Sequence, residues 1–221
     1  MAQHSYSKIK SYETCPKKFY AESILKLYPR EETEATIYGT RLHEAAELFI
    51  KDSKPIPAEF KFMQASMDAL AAMPGRKFPE HEMALKETLA PCDFKAPDFW
   101  VRGIADLVIV NDDNLTARVV DYKSGSDKYP DTDQLMLMSL MVLKHFPHVR
   151  QVSSKLLFVV KGTSYSHKVD REDEAKLWWA WRERVAKLDA SLYHKVFNPK
   201  SSGLCRKYCP VVDCSHNGRR S

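Results

Sequence analysis

The segment Asp131 to Phe146 constrains the fold more than any other. Leu135, Met136, Leu137, Met138, Leu140, Met141, Val142 and Leu143 make it apolar nearly all the way round. A helix without a polar face must be covered on more than one side. It is also shorter than the roughly 20 apolar residues needed to span a bilayer, so the cover has to be protein. Strand-like runs flank it. Phe99–Val110 and Leu115–Tyr122 precede it, joined by the turn-forming tetrad Asn111-Asp112-Asp113-Asn114. Val152–Val160 and Ser164–Val169 follow it, joined by Lys161-Gly162-Thr163, and Phe78–Leu89 adds a partly alternating run upstream. This order predicts a mixed α/β fold, a central mixed sheet flanked by helices.

The other helices read from periodicity. Residues 4 to 28 predict two short helices broken near Cys15-Pro16, with Pro16 in the first turn of the second. Gly39 to Lys51 is amphipathic, with an apolar stripe of Leu42, Ala45, Ala46, Phe49 and Ile50 and with His43 just outside it. Residues 58 to 73 form a helix-like segment closed by Pro74-Gly75. Glu172 to Lys195 is a long amphipathic helix whose tryptophans Trp178 and Trp181 belong to its buried side. The length of 221 residues fits a single domain, 1–221, with small attachments. Met1 to Lys10 is polar with no apolar signal core, which predicts a cytoplasmic protein without a membrane segment. In that compartment the five cysteines are expected to be thiols or metal ligands rather than disulfides.

Chemistry concentrates in Val119-Val120-Asp121-Tyr122-Lys123-Ser124-Gly125, a β-branched run ending in a Ser-Gly turn signal. Side chains two apart in a strand share a face, so Asp121 and Lys123 point the same way. A carboxylate beside an ammonium suits metal-dependent phosphodiester hydrolysis, although an isolated D-x-K is more often an exposed ion pair. A two- or four-residue loop at the Asn-Asp tetrad would set Asp121 opposite Ile104 and diagonal to Asp106, at a Cα separation of roughly 7 to 8 Å on the same face. Two carboxylates could then converge on one cation. The net charge of +5 is modest, and beside an acidic site it implies that the basic residues cluster elsewhere. His43-Glu44-Ala45-Ala46-Glu47 has Glu47 where a zinc-protease motif needs its second histidine, which excludes that class.

The tail carries Cys205, Cys209 and Cys214, three cysteines within ten residues in a C-x3-C-x4-C arrangement. Such density points to metal ligation. Zinc would take His216 or Cys15 as fourth ligand, whereas an iron–sulfur cluster would take four thiolates including Cys15. Cys92 reads as a plain free thiol.

Together these pieces resemble the RecB-like nucleases of the PD-(D/E)XK superfamily, in the iron–sulfur branch that includes AddB-type subunits, CRISPR-adaptation exonucleases and small phage-encoded relatives. The resemblance spans nearly the whole chain. Ser5-Tyr6-Ser7 with Cys15-Pro16-Lys17-Lys18-Phe19 looks like the N-terminal cysteine segment, and Gly39-Thr40-Arg41-Leu42-His43 matches G-x-x-x-H. Gly103-Ile104-Ala105-Asp106 matches G-x-x-D, Asp121-Tyr122-Lys123 matches (D/E)-x-K, and Gln134 begins the Q-x-x-x-Y helix, with Met138 in place of the tyrosine. The tail departs from the common C-x2-C-x5-C by one position of its middle cysteine.

The resemblance implies a restriction-endonuclease-like core with a cysteine staple built from residues 1–30 and 200–216. It implies that His43, Asp106, Asp121 and the Tyr122 carbonyl bind Mg2+ or Mn2+, that Lys123 positions water or neutralises developing charge, and that Gln134 steadies the site. Glu82 is the candidate auxiliary acid, with an exposed strand glutamate as its plainer reading. Cys15, Cys205, Cys209 and Cys214 would hold a [4Fe–4S] cluster, with Zn2+ as the competing ion. The implied function is a metal-dependent deoxyribonuclease, an exonuclease on single-stranded DNA or DNA ends, serving repair, recombination or phage DNA processing, with a helicase or recombination partner. A non-catalytic DNA-binding scaffold and a zinc-stapled structure-selective endonuclease are the alternatives. No G-x-x-x-x-G-K-[ST] loop is present, so the chain carries no recognisable ATP motor.

Overall fold

The computed structural model describes residues 2–29 and 32–219. The chain divides into two compact units. Thr33–Trp179 forms the first; Ala2–Glu32 and Ala180–Ser221 form the second.

The first unit contains helices α1 (Glu34–Asp52), α2 (Gln64–Ala72) and α3 (Asp133–His145). Its strands are β1 (Arg76–Leu85), β2 (Pro91–Cys92), β3 (Val101–Asn111), β4 (Thr116–Lys123), β5 (Gln151–Phe158) and β6 (Thr163–Asp170). They lie in the order β2-β1-β3-β4-β5-β6. Every neighbouring pair is antiparallel except β4 and β5, which run parallel with α3 as the crossover between them. This is the mixed α/β sheet that the sequence predicts.

Both faces are covered. Val120 and Tyr122 join Leu107 and Ile109 in a core with Leu42, Ala45 and Ala46 of α1. Their neighbour Asp121 points to the opposite face, as does its registered partner Leu156, and there Leu135 of α3 packs against Leu156 and Phe158. Helix α3 is buried at Leu135 and at every residue from Leu137 to Leu143, as a helix without a polar face must be. It lies flush on β3, because a Cβ added to Gly103 would sit 2.4 Å from Met138 Cε. Gly103 thus makes room for the methionine that replaces the expected tyrosine. The C-terminal end of α3 is closed by Arg171, whose guanidinium donates to the carbonyls of Leu143, Phe146 and Val149 and pairs with Glu174.

Two boundaries differ from expectation. Helix α1 begins five residues early, because Thr33 caps it by accepting the Thr36 N–H. The β3–β4 loop takes Asp112–Leu115 rather than the Asn-Asp tetrad, since Leu115 adopts a left-handed φ of 52° and leaves Asn111 to pair with Thr116. The register is therefore two residues from the expected one. An even shift keeps every side chain on its face. The ladder ends at Leu107–Val120, so the next residue on each strand is Asp106 and Asp121. That register carried one residue further would set Asp106 opposite Asp121, and there the Tyr122 N–H turns to the Asp106 carboxylate instead of continuing the ladder.

In the second unit, Tyr6–Thr14 is a helix capped by Ser5, and a short helix Pro16–Phe19 follows with Cys15 at its N-cap, as predicted. A π-helical turn, Tyr20–Ile24, extends it. The helix Glu174–His194 contributes its residues from Ala180 onward. Arg184 stacks over Trp181 at 4.0 Å and forks onto Glu13 at 2.6 and 2.7 Å, while the Tyr12 hydroxyl lies 2.7 Å from Ser191. Met1 and Arg30, the ends of the predicted 1–30 segment, lie outside the described residues. Among those described, no helix is long and apolar enough to cross a membrane.

Candidate metal centre

Three strands and two helices of the first unit bring their polar residues to one place. His43 comes from α1, Glu80 from β1, Asp106 from β3, Asp121 and Lys123 from β4, and Gln134 from the first turn of α3. His43, Glu80 and Asp106 each offer one ligand atom, and these atoms all lie within 4.8 Å of one another. His43 Nδ1 is 3.4 Å from Asp106 Oδ1. Asp106 is fixed from the other side, since its Oδ2 accepts the Tyr122 backbone N–H at 2.6 Å, just where the ladder of strand hydrogen bonds stops.

Asp121 is 5% exposed. Its Oδ1 accepts from the Gln134 amide at 2.9 Å, and its Oδ2 lies 2.5 Å from the Lys123 ammonium. Lys123 is thus paired with Asp121, the partner that an isolated D-x-K suggests. Glu82 is exposed and pairs in register with Ile104, outside the three-ligand group.

Glu80 is the site residue that sequence reasoning missed. The register of β1 on β3 runs evenly through Pro79–Leu107 and His81–Ala105, and Glu80 sits between them, level with Asp106. Its φ is +44°, a left-handed conformation that a non-glycine residue adopts at a penalty of about 1–3 kcal/mol. Sequence offers only a faint signal, the proline immediately before it.

The electrostatics of the group favour binding of a divalent cation. Burial pushes the Glu80 carboxyl up to about 7, and the charges of Asp106, Glu47 and Asp121 push the same way against His43. Asp121 is raised by burial and then by Asp106, with Lys123 and His43 opposing. For His43, burial would lower the value, but its hydrogen bond to Asp106 and the surrounding carboxylates outweigh that and raise it. Burial raises the Tyr122 phenol, helped by Asp106 and Glu80. Carboxylate oxygens with one imidazole form a donor set for a hard or borderline divalent ion such as Mg2+ or Mn2+. Beside the group lies an open cleft of about 600 Å³, lined by Gly39, Thr40, Glu44 and Glu47 as well as His43 and Glu80.

A pH-dependent response to metal follows. Glu80 in the fold holds a proton that the unfolded chain releases near 4.5, so its contribution to stability is full below that pH and is lost as pH rises to about 7. A divalent cation replaces that proton and relieves the repulsion. Added Mn2+ should therefore raise the melting temperature more at pH 7.5 than at pH 5. An equal shift at both pH values, measured by calorimetry with EDTA controls, would rule out binding at these carboxylates.

Cys15, Cys205, Cys209 and Cys214 belong to the second unit but are not gathered into a ready site, and Cys92 lies in the first. Cys209 and Cys214 are buried with Ala21 and Val211, while Cys15 and Cys205 are half-buried and accept the backbone N–H groups of Lys200 and Ser202 at 3.4 Å. Among the described residues no three cysteine sulfurs lie within 4.8 Å of one another, and no such group includes His216. A staple joined through these sulfurs is therefore not formed in this structure. The loop around them is closed by Asn217, a buried amide that donates to the carbonyls of Cys209 and Val211.

The family model described as the PD-(D/E)XK nuclease superfamily matches residues 3–214 of the chain. Among solved structures, the protein named "Putative exonuclease" from Eubacterium rectale superposes with a TM-score of 0.54 at 13% identity, covering 93% of this chain and 86% of its own. The protein named SSO0001 superposes with a TM-score of 0.49 at 16% identity, covering 97% and 86%. No curated protein matches the sequence.

Proposed function

Because the chain belongs to the PD-(D/E)XK nuclease superfamily, we propose that it is a divalent-metal-dependent exonuclease acting on single-stranded DNA or DNA ends. The observation that carries this reading is the His43–Glu80–Asp106 group with Asp121, Lys123 and Gln134 beside it. In it, His43, Glu80, Asp106, Asp121 and the Tyr122 carbonyl would hold Mg2+ or Mn2+. The bound ion would supply Lewis acidity at the phosphate and lower the pKa of water. Gln134 orients Asp121 through its amide. Lys123, which pairs with Asp121, is placed to orient water and to neutralise charge on the scissile phosphate. The Tyr122 N–H fixes the orientation of the Asp106 carboxylate.

A digestion time course tests this. End-labelled linear and circular single strands are incubated with Mn2+, with Mg2+ or with EDTA. Loss of mononucleotides from linear strands only, abolished by EDTA, is the expected result. Cutting of circles at the same rate would make the enzyme an endonuclease, and binding without cleavage under all conditions would support the non-catalytic scaffold. Repair, recombination or phage DNA processing remain its proposed settings, with a helicase as a candidate partner.

We assign Cys15, Cys205, Cys209 and Cys214 to a [4Fe–4S] cluster. Backbone N–H donors on Cys15 and Cys205 stabilise thiolate charge, which supports ligation. Tetrahedral zinc, with Zn–S near 2.3 Å, needs sulfurs closer together than a cluster whose own sulfides lie between them. Anaerobically purified protein should contain iron and acid-labile sulfide in equal amounts; zinc alone would overturn the assignment.

A further inference from the structure

The charge of the chain is split between its two units. The first holds 19 Lys and Arg against 22 Asp and Glu, a net −3, and the second holds 15 against 7, a net +8. The unit without the metal centre therefore carries the whole basic excess. Part of it is used internally, as Lys17 faces Asp213 and Arg184 faces Glu13. Arg206, Lys207 and Arg219 are different. All three are exposed, and none has an acidic partner among the described residues. Asp213 is the only acid between Val196 and Arg219, and Lys17 lies 3.7 Å from it.

These cations are held at one place. The chain turns tightly after Leu204, whose carbonyl accepts the N–H groups of both Tyr208 and Cys209 at 3.0 Å. Gly218 returns against this turn: its N–H donates to the Cys205 carbonyl at 3.0 Å, and a Cβ on it would lie 3.0 Å from Arg206 Cα. Arg219, the next residue, is anchored by donating its N–H to Asn217 Oδ1 at 2.8 Å. Tyr208 stands on the same turn and is 71% exposed. A fixed turn presenting one bare aromatic ring and three cations that are unpaired among the described residues has the chemistry of a single-strand contact. The cations meet phosphates and the ring stacks on a base.

We propose that the Arg206-Lys207-Tyr208 turn, with Arg219, is a binding site for single-stranded DNA that supplies affinity independently of the metal centre. The proposal rests on the nuclease reading only for the choice of polymer. The test measures binding of fluorescein-labelled oligo(dT) by anisotropy in EDTA, from 50 to 300 mM KCl, so that no cleavage enters. The Arg206→Ala/Lys207→Ala/Arg219→Ala variant should bind at least about 10-fold more weakly at 100 mM salt, with the salt slope reduced by about 2. Tyr208→Ala should weaken binding about 10-fold, while Tyr208→Phe retains it. A control removes equal charge from the first unit, Lys54→Ala/Lys95→Ala/Lys176→Ala, and should leave the slope unchanged; melting curves confirm that each variant is folded. Wild-type slope and affinity in the triple variant, or an equal loss in the control, overturns the proposal. Failure of the nuclease reading would appear separately, as absence of metal-dependent cleavage by a wild-type protein that still binds.

Discussion

Asp121→Asn is expected to reduce metal-dependent cleavage by at least about 10²–10³-fold while leaving DNA binding in EDTA within about twofold. The carboxylate is almost wholly buried, holds both Gln134 and Lys123, and feels the charge of Asp106. Asparagine preserves its shape and one acceptor oxygen for Gln134 but removes the charge that a cation requires. It also removes a repulsion, because Asp121 is raised by burial and by Asp106. The metal-free variant should consequently melt at or above the wild-type temperature at pH 7.5, and Mn2+ should shift it less. That combination distinguishes a disabled site from a damaged fold. Cleavage within tenfold of wild type would remove Asp121 from the proposed ligand set.

Arg171→Ala should destabilise the first unit by about 2–4 kcal/mol, which is large beside a total stability of roughly 5–15 kcal/mol. The guanidinium closes the carbonyl end of α3 through three oxygens, Leu143, Phe146 and Val149, at 2.6 to 3.0 Å, and also pairs with the buried Glu174. Alanine removes these donors at once, and among the described residues only the Phe146 carbonyl keeps another, the Val149 N–H at 3.0 Å. It leaves Glu174 with Lys144 alone, at 2.5 Å. Arg171→Lys should recover only a small part, because an ammonium cannot reach three carbonyls in one plane. Urea melts of both variants are the measurement, and a lysine variant as stable as wild type would show that charge, not the fork, closes the helix.

Much of the first unit was legible because its signals were strongly periodic. The all-apolar helix, the alternating strands and the Asn-Asp turn each have one dominant physical interpretation, and α3 needed a sheet to cover it. The shared face of Asp106 and Asp121 survived a register error because the error was even. Leu115 caused that error: a leucine at positive φ is not something residue preference announces, and the loop moved to include it. Glu80 was invisible for a related reason. Its position level with Asp106 depends on how β1 pairs with β3, and no hairpin turn joins those strands to fix the register in sequence. Its left-handed backbone likewise leaves no residue-type signature. The cysteines were legible as a group but not as a geometry, since their approach depends on a loop whose shape is set by Asn217 and Gly218.

The single parallel pair in the sheet has a consequence for how the site comes into being. β1, β3 and β4 are antiparallel, whereas β4 can meet β5 only after the chain has closed a long loop through α3. Contacts close in sequence form sooner than distant ones. The β3–β4 hairpin should therefore bring Asp106 and Asp121 together before the crossover is complete, and before Gln134 arrives to hold Asp121. For an interval the two acids face each other without their supporting amide. A divalent ion present at that moment would bind the nascent pair and accelerate refolding, so that the chain's cation would serve as a folding nucleus before it served any substrate.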